Sequence, residues 1–92
     1  MRVGQWVVAA YNKKFYVGQI LAFEPEGDVS INFLARKKPG EYRWPKSQDI
    51  GSFHPHFVFF SQPRVQKVGS SYFVSNEEQI VKLFETYRKN NM

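Results

Sequence analysis

Residues 4–34 read GQWVVAAYNKKFYVGQILAFEPEGDVSINFL, and this stretch decides the fold class. Val3 to Tyr11 is rich in β-branched and aromatic residues, the composition of a strand. Asn12-Lys13-Lys14 is a polar break of hairpin-loop length. Phe15 to Phe23 reads as a second strand. Period-two alternation puts its Tyr16, Gly18, Ile20 and Ala22 on one face. A glycine inside a strand marks a bend or the close approach of another backbone, and Gly18 holds such a place. Glu24-Pro25-Glu26-Gly27-Asp28 is a solvated turn. Val29 to Leu34 then alternates most cleanly. Val29, Ile31 and Phe33 face one side, and Ser30 and Asn32 face the other.

Outward from this core the signals shorten. Ala35 to Gly40 reads as a basic loop. Glu41 to Trp44 is a short strand with Tyr42 and Trp44 on one face, ended by Pro45. Residues 47–56 are irregular. Phe57 to Phe60 reads as a buried strand. Gly69-Ser70-Ser71 is a turn leading to a short strand at Tyr72-Phe73. Ser75-Asn76-Glu77-Glu78 matches a capping box. Ile80, Leu83, Phe84 and Tyr87 follow at the spacing of an amphipathic helix, expected over about residues 76–89. Trp6, Phe23, Phe57, Phe59 and Phe84 are the expected core rings. The whole predicts a mostly β domain: a small antiparallel five-stranded barrel over residues 3–62. A C-terminal extension, 63–92, packs its helix on the same domain.

Composition bounds what such a domain does. Ninety-two residues make one small domain, far short of a barrel of eight strands and helices. The chain has no Cys, which excludes disulfides, thiolate metal sites and a cysteine nucleophile. No apolar run approaches the ~20 residues of a membrane span, and no secretory signal is read at the start. These features predict an intracellular, nuclear protein with no membrane partner, monomeric by default. The net charge of +5 favours acidic partners.

Catalysis has no visible set of residues. His54-x-His56 supplies only two metal ligands, and no nucleophile, base and orienting acid stand together. No Gly-rich phosphate loop occurs. A non-catalytic binding module with no cofactor and no metal is expected. Two surfaces are candidates. Arg36, Lys37, Lys38, Arg43 and Lys46 form a basic cluster suited to the phosphates of DNA or RNA. Tyr11, Tyr16, Phe33 and Tyr42 sit at strand ends beside two loops. If those loops share one end of a barrel, the rings converge and attract a quaternary ammonium by cation–π contact. A third reading is a protein-interaction scaffold that docks through the helix or an open sheet edge.

The strings GQWVVAAY, FYVGQI, VSINFL and YRWPKSQDI together resemble a Tudor domain. That family belongs to the Royal superfamily of Src-homology-3-like barrels. The resemblance covers residues 3–50, or 3–60 with Phe57–Phe60 as the closing strand. It rests on aromatic-x-Gly-x-Ile at Tyr16, Gly18 and Ile20 and on the closing Asp49-Ile50. It implies a reader of methylated lysine or arginine in a histone or other protein tail. The family's aromatic cage would fall on Tyr11, Tyr16, Phe33 and Tyr42, with Trp44 a barrel residue or cage neighbour. One departure stands out. Reader Tudors carry an acid in the loop after the third strand, where this chain has Arg36-Lys37-Lys38. Glu41 is the nearest acid, and alternation points it away from Tyr42.

Overall fold

The computed structural model describes residues 1–91; Met92, the last residue of the predicted extension, lies outside them. The strands are β1 (Trp6–Tyr11), β2 (Lys14–Phe23), β3 (Val29–Phe33), β4 (Ala35–Lys38), β5 (Glu41–Arg43), β6 (Ile50–Phe53), β7 (Val58–Phe60), β8 (Val65–Val68) and β9 (Ser71–Val74). A one-turn 3-10 helix, Pro55–Phe57, precedes β7, and α1 (Glu77–Asn91) ends the described chain. The domain is mostly β with one C-terminal helix. Its strands form two antiparallel sheets, ordered β6-β3-β2-β1-β7 and β4-β5-β9-β8.

This differs from a single five-stranded barrel. Residues 35–43 are a hairpin rather than a loop and a barrel strand, and that hairpin pairs with β9 in the second sheet. The division occurs at one corner. The Phe33 amide donates to the Asp49 carbonyl at 2.8 Å, and the Leu34 amide donates to Val17 O at 2.9 Å. Past that corner the chain leaves β3, gives up its pairing with β2 and enters β4. A basic run with no apolar alternation gives no strand signal, so only its partners make Arg36–Lys38 a strand.

The first hairpin has its sequence reason. Asn12 and Lys13 both take positive φ, 54° and 64°, the pair of left-handed residues that a two-residue type I′ turn requires. Tyr11 therefore pairs with Lys14, and Ala9 with Tyr16.

β1 is apolar on both faces because both are buried. Val7 and Ala9 join Ile20, Val29, Ile31 and Phe33 in one core cluster. Val8 joins Val17, Leu34, Tyr42, Val74 and Ile80 in a second. The first cluster lies on the inner face of the five-stranded sheet. The second fills the space between that sheet, the smaller sheet and α1. Each such aliphatic side chain contributes about 1.5–3 kcal/mol on burial.

Three expectations of burial change. Phe23 and Phe57 are 46% and 37% exposed rather than core. Phe23 ends β2 beyond a register shift between Ile20 and Ala22, at the end of the sheet. Phe57 closes the 3-10 turn and packs edge-on against His56. On α1, Ile80 and Phe84 are buried as the spacing predicts, but Leu83 is exposed. The helix start also differs from a capping box. The Asn76 carbonyl accepts the first helical bond, from the Ile80 amide. The Asn76 side chain accepts from the Arg64 amide and donates to the Gln62 carbonyl, so it holds the preceding loop.

Candidate functional site: an aromatic pocket on the five-stranded sheet

Three of the predicted rings come from one face of one sheet. Tyr11 extends the Val7–Ala9 row of β1, Tyr16 lies opposite Ala9, and Phe33 lies opposite Gly18. A fourth ring, Phe53 of β6, joins them. Its centroid is 5.5 Å from Tyr11 and 5.6 Å from Phe33, and Tyr16 stands 5.8 Å from Phe33. The planes meet at 68°, 81° and 62°, so each ring turns an edge to its neighbour's face. Edge-to-face rings make walls at an angle. They enclose a pocket of about 390 Å³, with Asp49, Gly51 and Ser52 completing the lining. Phe33 is buried and forms the floor, while Tyr11, 55% exposed, forms the rim.

Gly51 is what admits Phe53. A Cβ on Gly51 would stand 2.6 Å from Phe53 Cε2 and 3.0 Å from Cζ. With no side chain there, the Phe53 ring folds back along β6 and reaches Phe33. The ring is the free end of a side chain, so it moves before the backbone does. Gly51→Ala is expected to change stability by under about 1 kcal/mol. It should displace the Phe53 ring, read as shifts of the Phe53, Phe33 and Tyr11 ring-proton resonances. Unchanged ring resonances would refute this packing.

Below the pocket, Glu24 ties the sheet together. Its carboxylate accepts from the Ser52 hydroxyl at 2.5 Å and the Ser30 hydroxyl at 2.9 Å. The Ser52 bond, then the Ser30 bond, hold this exposed carboxyl below its ordinary range.

The other predicted site residues lie elsewhere. Tyr42 is only 2% exposed and belongs to the second core cluster. Its hydroxyl donates to Glu77 Oε2 at 2.6 Å. Burial first, then the Glu77 hydrogen bond, push this phenol well above its ordinary range. Trp44 stacks on Trp6 at 5.9 Å and donates its indole N–H to the Tyr72 hydroxyl at 2.9 Å. It forms a separate aromatic group where the two sheets meet.

The basic cluster is partly neutralised. Arg36 pairs with Glu77 at 2.5 Å, Lys38 with Glu41 at 3.5 Å, and Arg43 with the same Glu41 at 4.0 Å. Glu77 also accepts from the Gly40 amide at 2.9 Å. Burial alone raises the Glu77 carboxyl. The bonds from Arg36, Tyr42 and Gly40 together outweigh it and hold the carboxyl below its ordinary value. His54 has a local role: its Nδ1 accepts from the His56 amide at the start of the 3-10 turn.

Four residues of the pocket lining, Asp49, Gly51, Ser52 and Phe53, are not among the sequence-predicted site residues, and Phe53 and Asp49 matter most. Phe53 ends Ile50-Gly51-Ser52-Phe53, where the exposed positions are Ile50 and Ser52 and the inward one before Phe53 is a glycine. The alternation is there, but its apolar signal is inverted. Asp49 was legible as part of a motif but not as the acid beside the rings. Compared with known proteins, the chain matches no family model, no curated protein and no solved structure.

Proposed function

We propose that this domain is a Tudor-like binding module that captures a methylated lysine or arginine side chain of a protein tail. The observation that carries the reading is the ring set: Tyr11, Tyr16, Phe33 and Phe53 walling an open pocket with Asp49 in its lining. A methylated ammonium is bulky, weakly hydrated and cationic. It gains from several ring faces at once, at roughly 0.5–2 kcal/mol for each well-placed ring. The Asp49 carboxylate adds attraction for the charge, the part left open by the basic run after the third strand.

Strand order supports the Tudor-like reading as well. β1, β2, β3 and β6 form a meander, and β7 returns to pair with β1 through Val8–Phe60 and Ala9–Val58. A closing strand at residues 57–60 is what the resemblance implies. In this reading the five-stranded sheet corresponds to the family's barrel, left open between its edge strands β6 and β7, and the second sheet and helix are additions to it. A histone-type tail in the nucleus is the matching partner. Nucleic-acid binding is the weaker reading, because three of its five cations already face carboxylates.

The test is calorimetry with a glycine-flanked peptide carrying trimethyllysine or plain lysine. The methylated peptide is expected to bind at least about tenfold tighter, the equivalent of ~1.4 kcal/mol. Phe53→Ala should remove that preference while the amide spectrum stays folded. Equal affinity for the two peptides would refute the reading.

A further inference from the structure

We infer that the groove beside the ring pocket holds a glutamate side chain of the same ligand, so that the site reads a methylated cation next to an acid. The inference rests on the cage reading above and specifies its ligand. A groove of about 620 Å³ shares Tyr16 and Asp49 with the ring pocket. One extended peptide therefore reaches both. Phe15, Leu34 and Phe84 give the groove an apolar lining, and Lys13, Lys14 and Arg36 give it positive charge.

The three cations are not equivalent. Arg36 is held by Glu77 and lies 5.9 Å over the Phe15 ring. Lys13 and Lys14, at the tip of the first hairpin, are exposed. They supply the free charge. The two cavities thus differ in what they favour. Both are lined by Asp49, and the rest differs: the rings suit a cation, whereas Lys13 and Lys14 outnumber that one carboxylate in the groove and, beside an apolar surface, suit an anion on a short apolar stem. Glutamate has that shape, with two methylenes for the apolar lining and a carboxylate for the lysines. The same lysines repel a further cation, so a ligand rich in unmodified lysine is disfavoured.

The experiment uses the full chain and four peptides of otherwise glycine. One position is trimethyllysine or lysine, and the second residue on each side is Glu in one pair and Gln in the other. At low salt the Glu peptide is expected to bind about three- to tenfold tighter than its Gln twin, as two exposed ion pairs allow. That ratio should shrink towards one at 0.5 M salt. In Lys13→Gly/Lys14→Gln it should also fall to one. Glycine suits the positive φ at position 13, so this variant keeps the turn. A Glu/Gln ratio of one in the wild type, or a ratio unchanged in the variant, overturns the groove assignment. Failure of the cage reading appears on the other axis, as equal affinity for trimethyllysine and lysine. Loss of binding by all four peptides overturns both.

Discussion

Glu77→Ala is expected to cost about 3 kcal/mol and to lower Tm by more than roughly 10 °C. The residue looks like one more acid in the first turn of a surface helix. Instead it is buried, and it receives Arg36, the Gly40 amide and the Tyr42 hydroxyl. It joins the helix start to both strands of the β4–β5 hairpin. Its removal leaves a buried phenol and a backbone amide without their acceptor. Each such orphan costs about 1–3 kcal/mol, discounted for Arg36, which reaches solvent. Against the roughly 5–14 kcal/mol that holds a domain of this size, that is a large share. A thermal melt decides it. A Tm shift below about 3 °C would mean that the network is incidental.

The same carboxylate sets a pH dependence. Its folded-state pKa lies below its ordinary value of 4.5. Its contribution is therefore complete above that value and is lost as pH falls through the lower, folded value. Glu77→Gln keeps the shape and removes the titration. The stability gap between wild type and Glu77→Gln should be constant from neutral pH down to about 5 and narrow below. Glu24 and its serine partners are the same in both proteins, so the difference isolates Glu77. A gap that stays constant to low pH would contradict the network.

Gly18→Ala is the second large effect, expected at about 2–3 kcal/mol. The backbone there has ordinary dihedrals, and the obstacle is space. A Cβ would stand 2.6 Å from Ile31 Cγ2, 2.8 Å from the Asn32 carbonyl and 2.9 Å from Phe33 Cδ1. The carbonyl belongs to the paired strand and cannot yield unless β2 and β3 separate. Gly51→Ala meets only a ring, which explains the smaller cost expected there. Because Phe33 is the pocket floor, Gly18→Ala should also weaken methyllysine binding. Chemical denaturation measures the loss, and a change under about 0.5 kcal/mol would refute the close approach.

What the sequence discloses follows from how local each signal is. β1, β2 and β3 are legible because alternation and a turn lie within each stretch, and Gly18 announces its close neighbour. The helix is legible from Ile80 and Phe84. The second sheet is legible only in part: β5 and the Tyr72-Phe73 centre of β9 read as short strands, but β4 is basic and β8 is short and weakly patterned, and the pairing of all four depends on partners far along the chain. Tyr42 looks equivalent to Tyr16 by position, yet the corner at Phe33–Leu34 carries it into the other core. Phe53 is hidden by the glycine that makes room for it. Three of the four pocket rings were thus readable from strand ends, and the fourth required the fold.

In the proposed function Tyr11, Tyr16, Phe33 and Phe53 bind a methylated ammonium by its charge. A two-dimensional amide NMR titration tests it most directly, with trimethyllysine peptide against the same peptide carrying the uncharged tert-butyl isostere of the side chain. The expected result is saturable shifts at Tyr11, Tyr16, Asp49 and Phe53 with the cation, and binding at least about tenfold weaker with the isostere. Equal binding of the two, or shifts confined to residues 36–46, would contradict the account.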